Sequence, residues 1–543
     1  MANKYWAAGV SGNWNSILSW SDFATGTPAG AVVPGTGDAV FFNAASGTVT
    51  ATLDISPVVQ SVTCTGFTGT LAFGTNTISL NSTGTIFTGA TTMTVTGTPQ
   101  IICTNSSATT RTITPTAVTE ANSISFRITA GTGTFNCSAG AIRDIDFTDG
   151  TNPTGFGGQI ATFAVTIYGN FKASTNMTAS SSANTFTFAA TSGTKTINTA
   201  GVTFDRQFTF NGVGGTWQLQ AALTSGATRT CTLTNGTLDL NGYTLTTGIF
   251  SSNNSNTRTL AFKGYESITL TGRNTTVYNT SNSTGFTVTY SNLPNDNLVI
   301  LDATGILGET RSILTGLTSS GGTEFNINNI VIAQGADIIN FGTSPSVFRS
   351  ITFFSPTFTG SLAANAAPQI YGEFFLLSSA MTVTGGTNAW TFLATYATTL
   401  FETKGLSINT PITVNTNSSY GVTLLDALNI GSTNALTFIS GTLKLYRSAT
   451  SVVGSLVTTG TTQKFLSSST PGTQATISAA SGTNTVTYLT IKDSNATGGA
   501  TWDANNPTNV NAGNNTGWIF FPTPANSNEI TMRLRSFTQP RRF

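Results

Sequence analysis

Gly236-Thr237-Leu238-Asp239-Leu240 returns later in the chain as Gly441-Thr442-Leu443-Lys444-Leu445. Leucines that alternate with a polar residue project to one face of an extended strand, and the residue between them projects to the other. Both leucines are kept, while Asp239 gives way to Lys444, a reversal of charge. A strand with one face in a core and the other toward solvent drifts in this way. The match runs without a gap from 219–240 onto 424–445, with 10 of 22 positions identical.

Outward from that stretch, residues 142–240 reappear at 348–445, offset by 203 to 206 positions. Thr166-Ile167-Tyr168-Gly169-Asn170-Phe171 returns as Gln369-Ile370-Tyr371-Gly372-Glu373-Phe374, and Asn184-Thr185-Phe186-Thr187-Phe188 as Asn388-Ala389-Trp390-Thr391-Phe392. Arg143-Asp144-Ile145-Asp146-Phe147 becomes Arg349-Ser350-Ile351-Thr352-Phe353: the apolar residues persist and the carboxylates vanish. Cys231 becomes Leu436, which reads as a small core hydrophobe. Self-similarity of this kind marks stacked architectures.

Composition agrees. Only 8% of the 543 residues are charged, while 38% are hydrophobic and 10% aromatic. Ordinary globular chains carry roughly 25% charged residues. β-Branched Thr suits strands, while Gly and Asn suit tight turns. No apolar period of 3.6 is sustained. The chain reads as all-β, an elongated parallel β-helix with an internal duplication of about 205 residues. The alternative is a string of β-sandwich modules, whose repeats run near 100 residues.

The chain divides into an opening Trp-rich cap (1–55), a β-solenoid entry (56–120), copy 1 (121–275), a connecting segment (276–324), copy 2 (325–460), a closing β block (461–524) and a basic tail (525–543). Trp6, Trp14 and Trp20 are expected to cover the first rung, since a solenoid end otherwise exposes apolar core and unpaired backbone. Short strands follow, as in Leu71-Ala72-Phe73 and Ile78-Ser79-Leu80 on either side of a Gly74-Thr75-Asn76 turn.

Several chemistries are excluded or disfavoured. There is no histidine, which removes Ser-His-Asp and Cys-His catalysis and His-ligated metal sites. Cys64, Cys103, Cys137 and Cys231 show no C-x-x-C spacing, so neither a disulfide framework nor a metal cluster is expected. No cofactor is expected. Net charge is +1, and nothing points to a nucleic-acid partner. The opening Met1-Ala2-Asn3-Lys4-Tyr5-Trp6 is not a signal peptide, and no apolar run approaches the roughly 20 residues of a membrane span. Synthesis in a cytoplasm without membrane insertion is expected.

Gly201-Val202-Thr203-Phe204-Asp205-Arg206, Gly214-Gly215-Thr216-Trp217-Gln218-Leu219 and Gly236 to Leu245 resemble Thr- and Gly-rich β-solenoid structural proteins of tailed, marine bacteriophages. Tyr488-Leu489-Thr490-Ile491-Lys492-Asp493-Ser494-Asn495 and Gly517-Trp518 resemble the closing block of the same group, so the resemblance spans roughly 1–520. It implies a non-enzymatic virion part: a fibre or decoration on tail or head, associated with other virion proteins, commonly homotrimeric, and in contact with host-surface glycan. The Trp14/Trp20 opening with Pro34-Gly35-Thr36-Gly37-Asp38 also resembles autotransporter passenger repeats, which need a signal peptide and a membrane barrel. The alternatives are a tailspike-like polysaccharide depolymerase using Asp or Glu pairs and, from the autotransporter resemblance, a bacterial surface adhesin.

Candidate site residues are few. Asp144-x-Asp146-x-x-Asp149-Gly150 has the oxygens for a calcium loop, or two carboxylates for glycoside hydrolysis; the bland reading is a solvated turn. Glu373 replaces Asn170 and Glu402 replaces Asn198, as isolated carboxylates on an outward surface. Trp217, Trp390, Tyr243 and Tyr371 are the aromatic candidates for a sugar groove. Trp390 matches Phe186, Tyr371 matches Tyr168 and Trp217 matches Val422, which argues for packing. In the tail, Met532 and Leu534 alternate with Arg533 and Arg535, and Phe537, Arg541, Arg542 and Phe543 follow. This reads as a strand that adds to a partner's sheet edge during assembly.

Overall fold

Alternation of apolar and polar residues puts one side of each short strand inside, and Gly-rich turns return the chain to the same azimuth one level up. Phe171 lies beside Ile145, Ile197 beside Phe171, and Leu219 beside Ile197, always in parallel. Repetition of this step gives a computed structural model with 47% strand and 1% helix, stacked as a β-solenoid of about 19 turns. At 4.7–4.9 Å between neighbouring strands the stack is about 90 Å long. The structure describes residues 2–522 except 118, 139, 264–265, 274, 291–297, 302–308, 317–328, 334, 343–344, 355–357, 364–366 and 396.

The all-β parallel helix read from the sequence is the fold; among the described strands every pairing but one is parallel, where a sandwich would be built from antiparallel hairpins. One apolar core threads the stack from Trp6 to Trp502. Phenylalanines supply much of it, as where Phe188 stacks on Phe210 at 5.2 Å between ring centres. Outward residues form hydrogen-bonded ladders between turns. Thr70 Oγ1 lies 2.6 Å from Thr94 Oγ1, and Asn235 Nδ2 donates to Asn211 Oδ1 at 2.7 Å. Within the described parts of 276–324 the parallel pairing persists: Phe286–Tyr290 pairs back to Arg258–Phe262 and Thr310–Thr315 pairs back to Thr275–Thr280.

The copies repeat their register. Trp217 pairs with Leu238 and Leu238 with Leu260; Val422 pairs with Leu443 and Leu443 with Leu466. Gly236 and Gly441 are kept because both have positive φ (74° and 90°). A Cβ at Gly236 would meet Gly212 O at 2.4 Å, and one at Gly441 would meet Thr416 Oγ1 at 1.8 Å. Asp239 departs from expectation. It points off the core face but is 4% exposed, because Gln218 and Lys263 cover it. Lys444 at the matching position is exposed.

The two ends differ. Trp20–Ser21 runs antiparallel to Ala2–Trp6, the one antiparallel pairing among the described strands, and closes that sheet edge. Trp6, Trp14 and Trp20 are fully buried beneath this hairpin, with Trp20 at 5.0 Å from Trp6 and 4.8 Å from Trp14. At the other end Trp502 is buried against Trp518 at 5.1 Å, and Ile519 and Val510 are about half exposed.

Candidate functional site

A turn length that changes from 19 residues (Arg127 to Asp146) to 26 (Asp144 to Asn170) brings an unusual set of side chains to one outer face. Two adjoining hollows open there, of about 270 and 320 Å³. They share Gln100, Ser125 and Asp144. Arg143 lines one; Arg127, Asp146, Asn170 and Lys172 line the other. In a chain so poor in charge this is a dense patch of both signs.

The carboxylates there are already engaged. Asp144 Oδ2 accepts from Ser125 Oγ at 2.6 Å, and its Oδ1 accepts from Asn170 N (2.7 Å) and Nδ2 (2.9 Å). Asp146 Oδ1 accepts from Thr148 N and Oγ1, and Arg127 Nε reaches its Oδ2 at 3.3 Å. Asp149 is bound separately by Thr151 N and by Asn152 N and Nδ2, bonds that hold its carboxyl below the usual carboxylate range, those from Asn152 foremost. Asp144 and Asp146 therefore share a face, while Asp149 caps its own turn. Among the described residues, no three His, Cys, Asp or Glu side chains are grouped as a metal ion would need.

The other candidates scatter. Glu402 pairs with Lys404 and lies in the ladder beside Phe375; Glu373 stands two positions before Phe375 and is exposed. Trp217 and Trp390 are buried, against Phe210 at 5.7 Å and Phe374 at 5.1 Å, and offer no ring to a sugar. Tyr371 is half-buried and Tyr243 is 38% exposed. The four cysteines are free and buried, and burial pushes the thiols of Cys64, Cys103 and Cys137 up to about 12. The docking residues Arg533, Leu534, Arg535, Phe537, Arg541, Arg542 and Phe543 lie outside the described residues. No helix among the described residues is long and apolar enough to cross a membrane.

Sequence reading missed a set of buried cations. Arg111, Arg206, Arg258 and Arg311 are all within 1% of full burial. Arg206 donates to the carbonyls of Ile160, Ala161 and Phe163 and lies 4.7 Å from the ring centre of Phe186. Burial, then the charge of Arg229, bring its guanidinium down to about 10. Arg258 donates to the carbonyls of Ser252, Asn256, Asn282 and Thr284, and so ties two turns together. Arg311 instead pairs with buried Asp337 at 2.7 Å. The signal was available: Arg206 falls in phase with inward Phe204, Phe208 and Phe210, and Arg258 in phase with Leu260 and Phe262.

Comparison with protein-family models, with curated proteins and with solved structures returns no match.

Proposed function

We propose that the chain is a non-enzymatic structural rod, a virion fibre or decoration protein of the phage group its sequence resembles. The observation that carries this is the single apolar core that the described residues build along a stack of about 19 turns, with one end closed by a tryptophan hairpin. Such a stack is stabilised by contacts between nearest neighbours and projects as a stiff element. The engaged carboxylates of Asp144 and Asp146 support a binding face over a hydrolytic one, since each already fixes local backbone. On this reading the rod joins other virion proteins, as a trimer, and its outer face meets host glycan. Immunogold labelling of intact phage particles with antibody to the chain is expected to decorate a projecting element. Recovery of the chain only from particle-free lysate would sink the assignment.

A depolymerase is the second reading, because Asp144 and Asp146 line one hollow on the same strand face. The backbones of residues two apart on extended chain lie about 6.6 Å apart, at the lower end of the separation that inverting glycosidases need between their carboxyls. Release of reducing ends from host polysaccharide by the wild-type chain, abolished by Asp144→Ala or Asp146→Ala, would favour it.

A further inference from the structure

The two copies turn different surfaces outward. In copy 1 one outer face presents polar columns: Asp146, Lys172 and Asn198 in one, and Thr196, Gln218 and Asp239 in the next. The matching columns of copy 2 are Thr352, Phe375 and Glu402, and Leu400, Thr423 and Lys444. Residues two apart on a strand share a face, so Glu373 begins the second column and Leu425 continues the first. Leu425 stands where copy 1 has Gln220, and Phe375 where it has Lys172. Phe354 is 67% and Leu425 39% exposed, while Phe375, Leu377 and Leu400 are half-buried. A contiguous apolar patch on an outer surface marks a place where something binds.

The order of charges along the patch says what covers it. The second column runs Glu373, Leu400, Thr423, Lys444: acid, apolar, polar, base. Glu373 and Lys444 are both exposed, and neither joins an ion pair among the described residues. A symmetric contact needs a surface that complements itself about a two-fold axis, and a column with opposite charges at its ends does so. We propose that this face joins two copies of the chain side by side and antiparallel. The axis lies along the strands, between the Leu400 and Thr423 levels. It sets Glu373 against Lys444 of the second copy, and Lys444 against Glu373 of the second copy. Leu400 then lies over Thr423 of the second copy, next to Leu425 of the second copy. Glu402, at the centre, is already neutralised by Lys404. Copy 1 lacks the pattern, because its column runs Thr196, Gln218, Asp239 and Lys263 already covers Asp239. The face extends over about five strand spacings and two side-chain steps, roughly 24 by 13 Å, which is small for a specific contact and predicts weak pairing.

The test is sedimentation of the purified full chain over a concentration series, which does not depend on what the rod attaches to. Glu373→Lys and Lys444→Glu each oppose like charges and are expected to halve the assembly mass. Both positions are exposed, so circular dichroism should be unchanged. An equimolar mixture of the two variants puts opposite charges together again and should restore the mass, as should the double variant. Leu425→Gln, which installs the copy 1 residue, is expected to weaken pairing about tenfold. A carbodiimide should join Glu373 to Lys444 between copies only, since within one chain they stand three strand spacings, about 14 Å, apart. Wild-type chain that does not pair at any concentration overturns the contact. So do single variants that keep the wild-type mass, or that lose it and fail to regain it on mixing.

Discussion

In copy 1, Trp217 and Leu238 form one rung; in copy 2 the same rung is Val422 and Leu443. Around it the backbones diverge. Phe204–Leu219 runs as one strand through a bulge that leaves Val213 exposed, whereas copy 2 breaks into Ile412–Asn415 and Gly421–Leu424 around a turn in which Thr416 Oγ1 donates to the Tyr420 carbonyl. The charges diverge further. Asp205 pairs with Arg229 at 2.8 Å beside Gly226; the matching positions hold Asn409 and Asn434 beside Gly431. A Cβ at either glycine would strike the neighbouring side-chain oxygen, at 2.2 Å from Asp205 Oδ1 and 2.8 Å from Asn409 Oδ1. Close packing was held while ion pairs were exchanged for amides. The core sets what each rung tolerates, and the outer face is where the copies acquired separate chemistry.

The comparison breaks most sharply at the rung itself. Trp217→Ala is expected to cost about 3–5 kcal/mol, and Val422→Ala about half of that, because the cavity scales with the side chain removed. Amide hydrogen exchange in the strands on either side reads each loss locally, as a stack of nearest-neighbour units requires. Equal losses in the two copies would mean that the ring of Trp217 contributes no more than a valine.

Next in size is the charge reversal that drift made between the copies. Asp239→Lys sets two cations together in a site 4% exposed and is expected to cost about 2–3 kcal/mol, less than a fully buried broken pair because Lys263 is half exposed. Thermal melting with exchange at 258–262 checks it.

A smaller difference is expected in acid. Arg229 first, then Ser181 and the Gly226 amide, hold the Asp205 carboxyl below the usual carboxylate range despite partial burial. A carboxyl depressed in the folded state stabilises it above the unfolded value, near 4, and that contribution is lost as pH falls through the folded value. Exchange at 204–219 should therefore accelerate below about pH 4 more than exchange at 412–424, where Asn409 does not titrate. Parallel acceleration in both copies would assign the acid response to groups outside the pair.

How much of this was legible follows from which contacts are local. Alternation at Leu238 and Leu240 is visible within five residues, and the duplication gave it a second witness. Arg206 was also legible, in phase with three phenylalanines, but a charge in a strand reads as outward unless carbonyl acceptors 40 or more residues away are known. Asp239 read as solvent-facing because Lys263, its cover, is 24 residues on, and turn length varies too much to count. The hollow around Asp144 depends on the same varying length.

The smallest effect comes from rebuilding the copy 1 pair in copy 2. Lys444 lies beside Ser467, and Ser469 occupies the position two further on that Lys263 holds relative to Ala261. Lys444→Asp alone is an exposed change and is expected to stay within about 0.5 kcal/mol. With Ser469→Lys added, a double-mutant cycle should give a coupling of about 0.2–1 kcal/mol, the range of exposed pairs, because Thr423, which holds the place of Gln218, has a shorter side chain and Lys444 is exposed. A coupling well above about 1 kcal/mol would mean that an exposed pair is worth as much as the covered one, and that burial of Asp239 is not what separates the two copies.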